Sequence, residues 1–244
     1  MTKESVLGRI VRIIEVFGPD TPALGVSELA RRADLHVATA SRLVERLVGY
    51  GWLQRDADRK VRIGVRLWEL ASRASPTLPL REAAMPYLED LHAVVRHHTQ
   101  LAVLDGDEVL FLERLSARHA VINLTRIAGR LPLHASSSGE VLLAHAPAEL
   151  QERVLSGPLP AYTRFTVTDP KVLRARLADI RRDGYALCPG YIDERATGVA
   201  VPVRGPGGAV VAALGVVVPN DDNARATIPA LRATALGIAR SLTQ

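Results

Sequence analysis

The sequence lacks the features of a secreted or membrane protein. It has one cysteine, Cys188, among 244 residues, so no internal disulfide can form and a cytoplasmic location is expected. The longest apolar run, Ala209 to Val218, falls well short of the ~20 residues of a membrane-spanning helix and is typical of a buried strand. Arginines interrupt the apolar residues of the first segment, which predicts that no secretory signal is present.

The composition is that of an ordinary folded protein, 48% apolar and 23% charged, with room for one large domain or two modest ones. The net charge is +5 and the sequence pI is about 9.8. Residues 1–75 carry 13 Lys and Arg against 9 Asp and Glu, whereas residues 76–244 carry 18 against 17. The cationic excess is therefore N-terminal, as in a nucleic-acid-binding segment, although a solvated helix face is the alternative.

Periodicity in the first 75 residues predicts a helix-turn-helix. Apolar residues recur at helical spacing from Val6 to Phe17, where Gly18-Pro19 stops the first helix. Ser27 is positioned to cap a second helix, Glu28 to Ala33, and a third helix is expected from Val37 to about Val48. The apolar stripe of the third helix leaves its polar side chains on an outer face that is free to contact DNA.

A basic hairpin, called the wing below, is predicted to follow these helices. Two strand-like runs, Trp52 to Arg55 and Lys60 to Ile63, flank the turn Asp56-Ala57-Asp58-Arg59. A helix fits the major groove of duplex DNA, while hairpin cations meet phosphates beside it or enter the minor groove. A corner between any two helices would give the same helical pattern, but the wing and the charge asymmetry favour DNA. The predicted DNA-binding residues are Ser27, His36, Thr39, Ser41, Arg42, Arg46, Arg59, Lys60 and Arg62.

Four segments carry a resemblance to a known family: Gly25-Val26-Ser27-Glu28-Leu29-Ala30, Thr39-Ala40-Ser41-Arg42-Leu43, Leu47-Val48-Gly49-Tyr50-Gly51-Trp52-Leu53 and Arg62-Ile63-Gly64. They resemble the IclR family of bacterial transcriptional regulators, and the likeness continues to the C-terminus. The sequence departs from the family just before the third helix, which is the helix expected to contact the bases of DNA and is called the reading helix. Asp34 and His36-Val37-Ala38 stand where the family often has a glycine, a proline and a small polar run, a difference that bears on the operator sequence.

A break at Ser75-Pro76-Thr77-Leu78-Pro79 predicts two domains, a winged helix-turn-helix with a linker helix over residues 1–75 and a second domain over 76–244. The linker helix, Val65 to Ala74, is expected to turn Leu67, Leu70 and Ala71 inward. The resemblance implies that the second domain binds an effector and has a GAF-like fold.

The second domain is predicted to be α+β, with long antiparallel strands and helices on one face. The expected strands are Thr99–Leu104, Val109–Leu115, Ala120–Thr125, Thr197–Arg204 and Ala209–Val218. The expected helices are Leu80–His98, Ser136–His145, Pro147–Leu155, Pro170–Asp183 and Ala224–Leu242.

A serine run, Ser136-Ser137-Ser138, begins one of these helices. Hydroxyls and free backbone amides at a helix start can hold a carboxylate, although serines also cap helices without binding a ligand. The resemblance implies that this segment lines the effector pocket together with the preceding loop and the last strands. The effector-binding residues implied in this way are Val121, Leu124, Leu131, Ser137, Ser138, Cys188, Ala196, Gly198, Gly215 and Val217. Because Gly198, Gly215 and Val217 replace polar types common in the family, an apolar pocket with few donors beyond the serine turn is expected.

Enzyme and metal motifs do not emerge from the sequence. His134 and the serine run lack a G-x-S-x-G elbow, and Gly205-Pro206-Gly207-Gly208 lies between two predicted strands rather than before a helix. His92, His97 and His98 lack the i, i+4 spacing of a helical metal pair, so neither metal nor cofactor is expected. Cys188 is expected to be a small buried residue.

The sequence therefore predicts a DNA-binding regulator that acts as a homodimer or tetramer, without a membrane segment. A small aromatic or hydrophobic carboxylate is its expected effector, and double-stranded operator DNA its expected partner. The competing hypothesis is a small-molecule hydrolase or metabolite-binding enzyme with an accessory helical domain.

Overall fold

A computed structural model describes residues 5–18, 20–117, 120–121, 123 and 125–243. The chain divides between Pro76 and Thr77 into two compact units, each with its own hydrophobic core. Within the described parts of the chain, no helix has both the length and the apolar character needed to cross a membrane.

The first unit is a helix-turn-helix followed by a small hairpin. Its elements are α1 (Val6–Glu15), α2 (Val26–Arg32), α3 (Val37–Gly49), β1 (Leu53–Arg55), β2 (Val61–Ile63) and α4 (Val65–Ala74). β1 and β2 pair antiparallel, and Leu24 adds a bridge to Val61. The core draws on every part of this unit up to β2, through side chains such as Ile13, Leu29 and Leu43.

Three details of the first unit differ from the sequence analysis. α1 ends at Glu15, before Phe17. Ser27 does not cap α2, because the helix begins at Val26 with Gly25 at the N-cap and no side-chain cap bond. In α4, Leu70 and Ala71 are exposed and Leu67 is only half-buried, because no other described element of this unit covers that face.

The second unit is an α+β domain built on one antiparallel sheet. Its strands are β3 (His98–Asp105), β4 (Glu108–Leu115), β5 (Arg130–Pro132), β6 (Ala186–Pro189), β7 (Ala196–Arg204) and β8 (Val210–Pro219). Among the described residues these six strands lie in the order β5-β4-β3-β8-β7-β6. Its helices are α5 (Leu78–Val95), α6 (Ser137–Ala144), α7 (Ala148–Ser156), α8 (Pro170–Asp183) and α9 (Ile228–Ser241).

Helices cover both faces of this sheet, so the prediction of helices on one face was wrong. α5 and α9 pack against large side chains, among them Leu101, Val201 and Leu214. α6, α7 and α8 share the opposite core with small side chains of the same strands, Ala200 and Ala213. Because successive residues of a strand point to opposite faces, the alternation of large and small residues gives the sheet two different surfaces.

The small-residue surface lets α6 lie close to the sheet. An added Cβ at Gly198 would stand 2.8 Å from Oγ of Ser137, and one at Gly215 would stand 3.1 Å from Oγ of Ser138. The first turn of α6 therefore rests on two glycines of β7 and β8, and longer side chains there would push it away.

The segment predicted as a strand at Ala120–Thr125 is not one in its described residues, 120, 121, 123 and 125. Oδ1 of Asn123 instead accepts from the Thr125 amide, at 2.9 Å, which turns the chain locally. The edge position beside β4 belongs to β5, which pairs with Glu108–Leu110.

Candidate functional site

The outer face of α3 presents cations to solvent. Arg42 and Arg46 are exposed and form no ion pair with any described residue, whereas Ala40, Leu43 and Leu47 anchor the helix from behind. Both guanidinium groups are thus available to base edges or phosphates. Of the other predicted residues, Thr39 and Ser41 are half-buried on the same helix, and Ser27 lies exposed in the first turn of α2.

The N-terminus of α3 is open. His36 occupies the N-cap position, is exposed and makes no side-chain cap bond. The first amides of a helix need an acceptor from outside the helix, and a DNA phosphate is well suited to supply it. The first free amides of α3, which follow His36, and the exposed ring of His36 are therefore both available to an anion at this end of the helix.

The wing is shaped by Asp56. Its Oδ1 accepts from the amides of Asp58 and Lys60 at 3.1 and 2.9 Å, and its Oδ2 accepts from Nη2 of Arg62 at 2.8 Å. The hydrogen bond from Arg62 is the main reason that the pKa of Asp56 is lowered. Arg62 is thus engaged within the wing, while Arg59 and Lys60 are exposed and form no ion pair among the described residues.

A further ion pair connects the wing with α3. Nη2 of Arg55, in β1, donates to Oε1 of Glu45, in α3, and Nη1 of Arg55 donates to the carbonyl oxygen of Arg59 at 3.2 Å. Arg55 therefore fixes the wing relative to the reading helix instead of serving as a free phosphate contact.

The second unit contains a cavity at the start of α6. Its wall is mostly apolar, with polar groups from β3 and from the chain before β5. The lining residues are Gln100, Asn123, Thr125, Leu131, Ala135, Ser136, Ser137, Cys188, Tyr191, Ile192, Asp193, Ala196, Gly198 and Val217. Six of the ten effector residues implied by the resemblance lie in this wall: Leu131, Ser137, Cys188, Ala196, Gly198 and Val217.

The remaining four lie elsewhere or outside the described residues. Ser138 is fully buried beneath the wall beside Gly215, and its Oγ has no hydrogen-bond partner among the described residues. Val121 is half-buried, and its carbonyl oxygen accepts from Nε2 of His98 at 2.6 Å. Leu124 is not among the described residues.

The first turn of α6 has backbone amides without an acceptor among the described residues, and one of them belongs to Ser137, a residue of the cavity wall. Ser136 caps the helix, because its Oγ accepts from the Gly139 amide at 3.1 Å. The amides of Ser137 and Ser138 find no acceptor in the described parts of the chain. Gly139 has no room for a side chain, since an added Cβ would stand 2.4 Å from the carbonyl oxygen of Leu133.

Several polar residues of the wall were not anticipated from the sequence, among them Asp193, which pairs with Arg195, and the group formed by Gln100, Asn123 and Thr125. Oγ1 of Thr125 lies 2.9 Å from Oε1 of Gln100 and 2.7 Å from Oδ1 of Asn123, so its one hydrogen is shared between the two acceptors. Nδ2 of Asn123 is buried and has no partner among the described residues. The cavity is therefore more polar than expected. Gln100 carried a signal, a polar residue inside an apolar strand, but nothing in the sequence joined it to Asn123.

An ion pair between a buried carboxylate and a half-buried guanidinium lies behind the wall. Glu140, in α6, has a fully buried side chain, and its Oε1 and Oε2 accept from Nε and Nη2 of Arg176, in α8, at 2.9 and 2.6 Å. Sγ of Cys188 donates to Oε2 of Glu140 at 3.3 Å. Burial, and then the charge of Glu140, raise the pKa of the Cys188 thiol well above its ordinary value, so it stays protonated. Burial also raises the pKa of Tyr191.

Comparison with known proteins agrees with this architecture. The IclR helix-turn-helix domain matches residues 6–57, and the C-terminal domain of bacterial transcriptional regulator IclR matches residues 73–243. The transcriptional regulator BhcR of Paracoccus denitrificans is 30% identical over 241 residues, which cover 97% of this chain and 85% of that protein. The transcriptional regulator XynR of Escherichia coli is 29% identical, covering 84% and 82%.

Among solved structures, an IclR homolog from Microbacterium hydrocarbonoxydans in complex with 4-hydroxybenzoate is 52% identical. It has a TM-score of 0.95, with 98% of this chain and 99% of that chain covered. An IclR homolog from Microbacterium sp. strain HM58-2 is 50% identical, with a TM-score of 0.66 and 98% of each chain covered. The two domain matches span most of the sequence, and the chain therefore belongs to the IclR family of bacterial transcriptional regulators.

Proposed function

We propose that this regulator binds operator DNA through residues 1–75 and that a small aromatic carboxylate, held by residues 76–244, controls the affinity. The observation that carries the effector assignment is the unpaired Nδ2 of Asn123 in the cavity wall. A buried donor without a partner is costly, so the site favours a ligand that brings an acceptor.

A carboxylate fits the polar part of this cavity. The amides of Ser137 and Ser138 begin α6, and a helix N-terminus favours an anion through its free N–H groups and its dipole. The apolar part, formed by side chains such as Leu131, Ile192 and Val217, suits a ring or a short hydrocarbon body. The bound 4-hydroxybenzoate of the 52% identical relative, a small aromatic acid, supports the same class of ligand.

On the DNA side, α3 is assigned to the major groove and the wing to the adjacent backbone. Arg42 and Arg46 are the candidates for base or phosphate contacts, together with Thr39, Ser41 and the open helix start at His36. Arg59 and Lys60 neutralise phosphates, with Ser27 at the edge of the surface. Arg62 acts mainly through Asp56 by holding the wing in shape.

The uncovered apolar side chains of the first unit support assembly into a homodimer or a tetramer. α1 exposes Val6, Leu7 and Val11, and α4 exposes Val65, Trp68 and Leu70. Contiguous apolar side chains in water favour association, and a two-fold dimer would present two reading helices to two half-sites. An effector that binds two arrangements of such an assembly with different affinity changes operator affinity by shifting their populations. The protein performs this role without turnover of the ligand.

The test pairs two ligands and one variant. Calorimetry with 4-hydroxybenzoate and with 4-hydroxybenzamide should give tighter binding of the acid, and the acid should change the affinity for the DNA immediately upstream of the protein's own gene. Gly198→Leu should abolish acid binding and the response, because its side chain would fill the cavity beside Ser137. Its operator affinity without ligand should match that of the wild type. Normal acid binding by Gly198→Leu would place the effector site elsewhere, and turnover of carboxylate esters would favour the hydrolase alternative.

A further inference from the structure

The ion pair of Glu140 and Arg176 lies next to the proposed carboxylate position. Glu140 is three residues after Ser137 on α6, and residues at that spacing lie on the same side of a helix. Cys188 and Tyr191 belong to the cavity wall, and both adjoin the pair. Sγ of Cys188 donates a hydrogen bond to Glu140, and the guanidinium of Arg176 lies 5.3 Å from the centre of the Tyr191 ring. One layer of side chains thus separates Glu140 from the cavity.

An uncompensated charge on Glu140 would oppose an anionic ligand. The side chain is fully buried, so water does not screen its charge, and electrostatic interactions are strong in such surroundings. Arg176 compensates this charge through two hydrogen bonds, and its Nη2 also donates to the carbonyl oxygen of Leu187 at 3.0 Å. The guanidinium is thereby held between α8, α6 and β6.

The arrangement is more than a contact between helices. A bidentate pair of this kind fixes geometry, but an apolar pair of similar volume would hold two helices together at least as well. With Glu140 present, the region behind the cavity wall has no net charge only while Arg176 is paired with it. Cys188 contributes to the same balance, because its protonated thiol adds a donor to Glu140 without adding a negative charge to the wall.

We propose, on the basis of the function proposed above, that Arg176 determines the preference of the cavity for acids without touching the ligand. Arg176 neutralises Glu140, and this neutralisation lets a carboxylate occupy the start of α6. The preference is the ratio of the dissociation constants of 4-hydroxybenzamide and 4-hydroxybenzoate. Charge compensation at Glu140 sets this ratio, and loss of helix packing would instead weaken both ligands alike.

Three variants separate the two explanations by the sign of the effect. Arg176→Met leaves Glu140 uncompensated and should lower the preference about tenfold, mostly through the acid. Glu140→Gln leaves the cation uncompensated and should raise the preference. The double variant, Glu140→Gln with Arg176→Met, should return it to within about threefold of the wild type, because it carries neither charge. Thermal unfolding of each variant reports whether it folds. If Arg176→Met does not fold, Glu140→Gln and the folded double variant still test the direction of the change.

The measurement is calorimetry with both probes on the full-length protein. Opposite shifts in the two single variants, with recovery in the double variant, support the proposal. Equal losses for acid and amide, or an unchanged preference in the folded variants, would overturn it while leaving the proposed function intact. If the wild type binds 4-hydroxybenzoate no better than its amide, the proposed function fails for this class of ligand, and the role of Arg176 fails with it.

Discussion

Arg59 occupies the tip of the wing with a φ of +61°, in the left-handed region that favours glycine. Its side chain is exposed, and its amide donates to the carbonyl oxygen of Asp56 at 3.0 Å. A long cationic side chain thus stands at a position where the backbone conformation favours glycine. This is consistent with a role of the side chain outside the fold, in contact with DNA.

Arg59→Gly should separate the contribution of the side chain to DNA binding from the cost of the backbone conformation to stability. Stability should be unchanged or higher by up to about 1 kcal/mol, because glycine adopts this conformation without strain. Affinity for operator and unrelated DNA should fall by similar factors, and the salt dependence of binding should shrink by about one unit of slope. Lys60→Ala is the matched control, with the same loss of affinity and no gain in stability. A loss confined to operator DNA would mean that Arg59 reads bases.

His98 connects β3 to the chain that leads into the cavity wall. Its Nε2 donates to the carbonyl oxygen of Val121 at 2.6 Å, so its Nδ1 accepts from Oγ of Ser116 at 3.0 Å. Burial is the main cause that lowers the pKa of His98 below 6.5, and the charges of Arg114, His97 and His92 add to it. The folded protein therefore holds this ring neutral.

The stability of the second unit should fall as the pH drops below 6.5. In that range the unfolded chain binds a proton at His98 that the folded chain resists, so protonation favours unfolding. The melting temperature of the wild type should therefore decrease between pH 7.5 and 5.5, and His98→Gln should decrease less over the same interval. His36→Gln, which replaces an exposed histidine of the first unit, is the control for the loss of a histidine side chain as such. An undiminished decrease in His98→Gln would assign the effect to other groups.

At the scale of elements, the first turn of α6 offers a test of carboxylate binding by backbone amides. Ser137 is the first helical residue, where proline is tolerated, and the extended conformation of Ser136 suits a residue that precedes proline. Ser137→Pro removes both the amide hydrogen and the hydroxyl, whereas Ser137→Ala removes only the hydroxyl. We expect Ser137→Pro to weaken 4-hydroxybenzoate about tenfold more than Ser137→Ala does, with a much smaller difference for 4-hydroxybenzamide. Calorimetry on both variants gives the comparison. Equal losses of affinity in the two variants would exclude a hydrogen bond from the backbone amide of Ser137 to the carboxylate.

Most elements were predictable because their signals are local. The apolar stripe of α3 and the helix start at the serine run each lie within a few residues, and the structure has both. The prediction that helices cover only one face of the sheet overlooked a signal in the sequence. The run that forms β8 is apolar at nearly every position, and such a run is typical of a strand covered on both sides.

The cavity was less predictable than the elements around it. The resemblance supplied Ser137, Gly198 and Val217. Asn123 and Gln100 reach the wall from separate segments, and Thr125 links them only because the chain makes a local turn where the sequence pattern suggested a strand. Periodicity describes which face a residue occupies, but it does not report which distant polar groups meet there.

For the whole molecule, self-association should depend on the exposed side chains of α1 and α4. Trp68 is 68% exposed and Leu7 is 69% exposed, so each would lose much apolar surface to a second copy. Trp68→Glu and Leu7→Glu should each weaken association at least about tenfold in sedimentation velocity, and they should reduce binding to a full operator more than to a half-site. Val172→Glu alters a partly exposed apolar side chain on α8 and should have no effect. A wild-type protein that is monomeric at micromolar concentration would contradict this assignment.

The two surfaces of the central sheet have different roles, because one fills the core with α5 and α9 and the other contributes to the cavity wall. Along β7, Val199 and Val201 meet the side that α5 and α9 cover, while Gly198 and Ala200 meet the side that contains the cavity. We expect mutations at Val199 and Val201 mainly to lower stability, because these side chains fill the core with α5 and α9, and mutations at Gly198 mainly to change the volume of the cavity. The shape of the cavity, and with it the ligand that fits, can therefore change through alternate residues of β7 and β8, while the intervening residues keep the core under α5 and α9 unchanged.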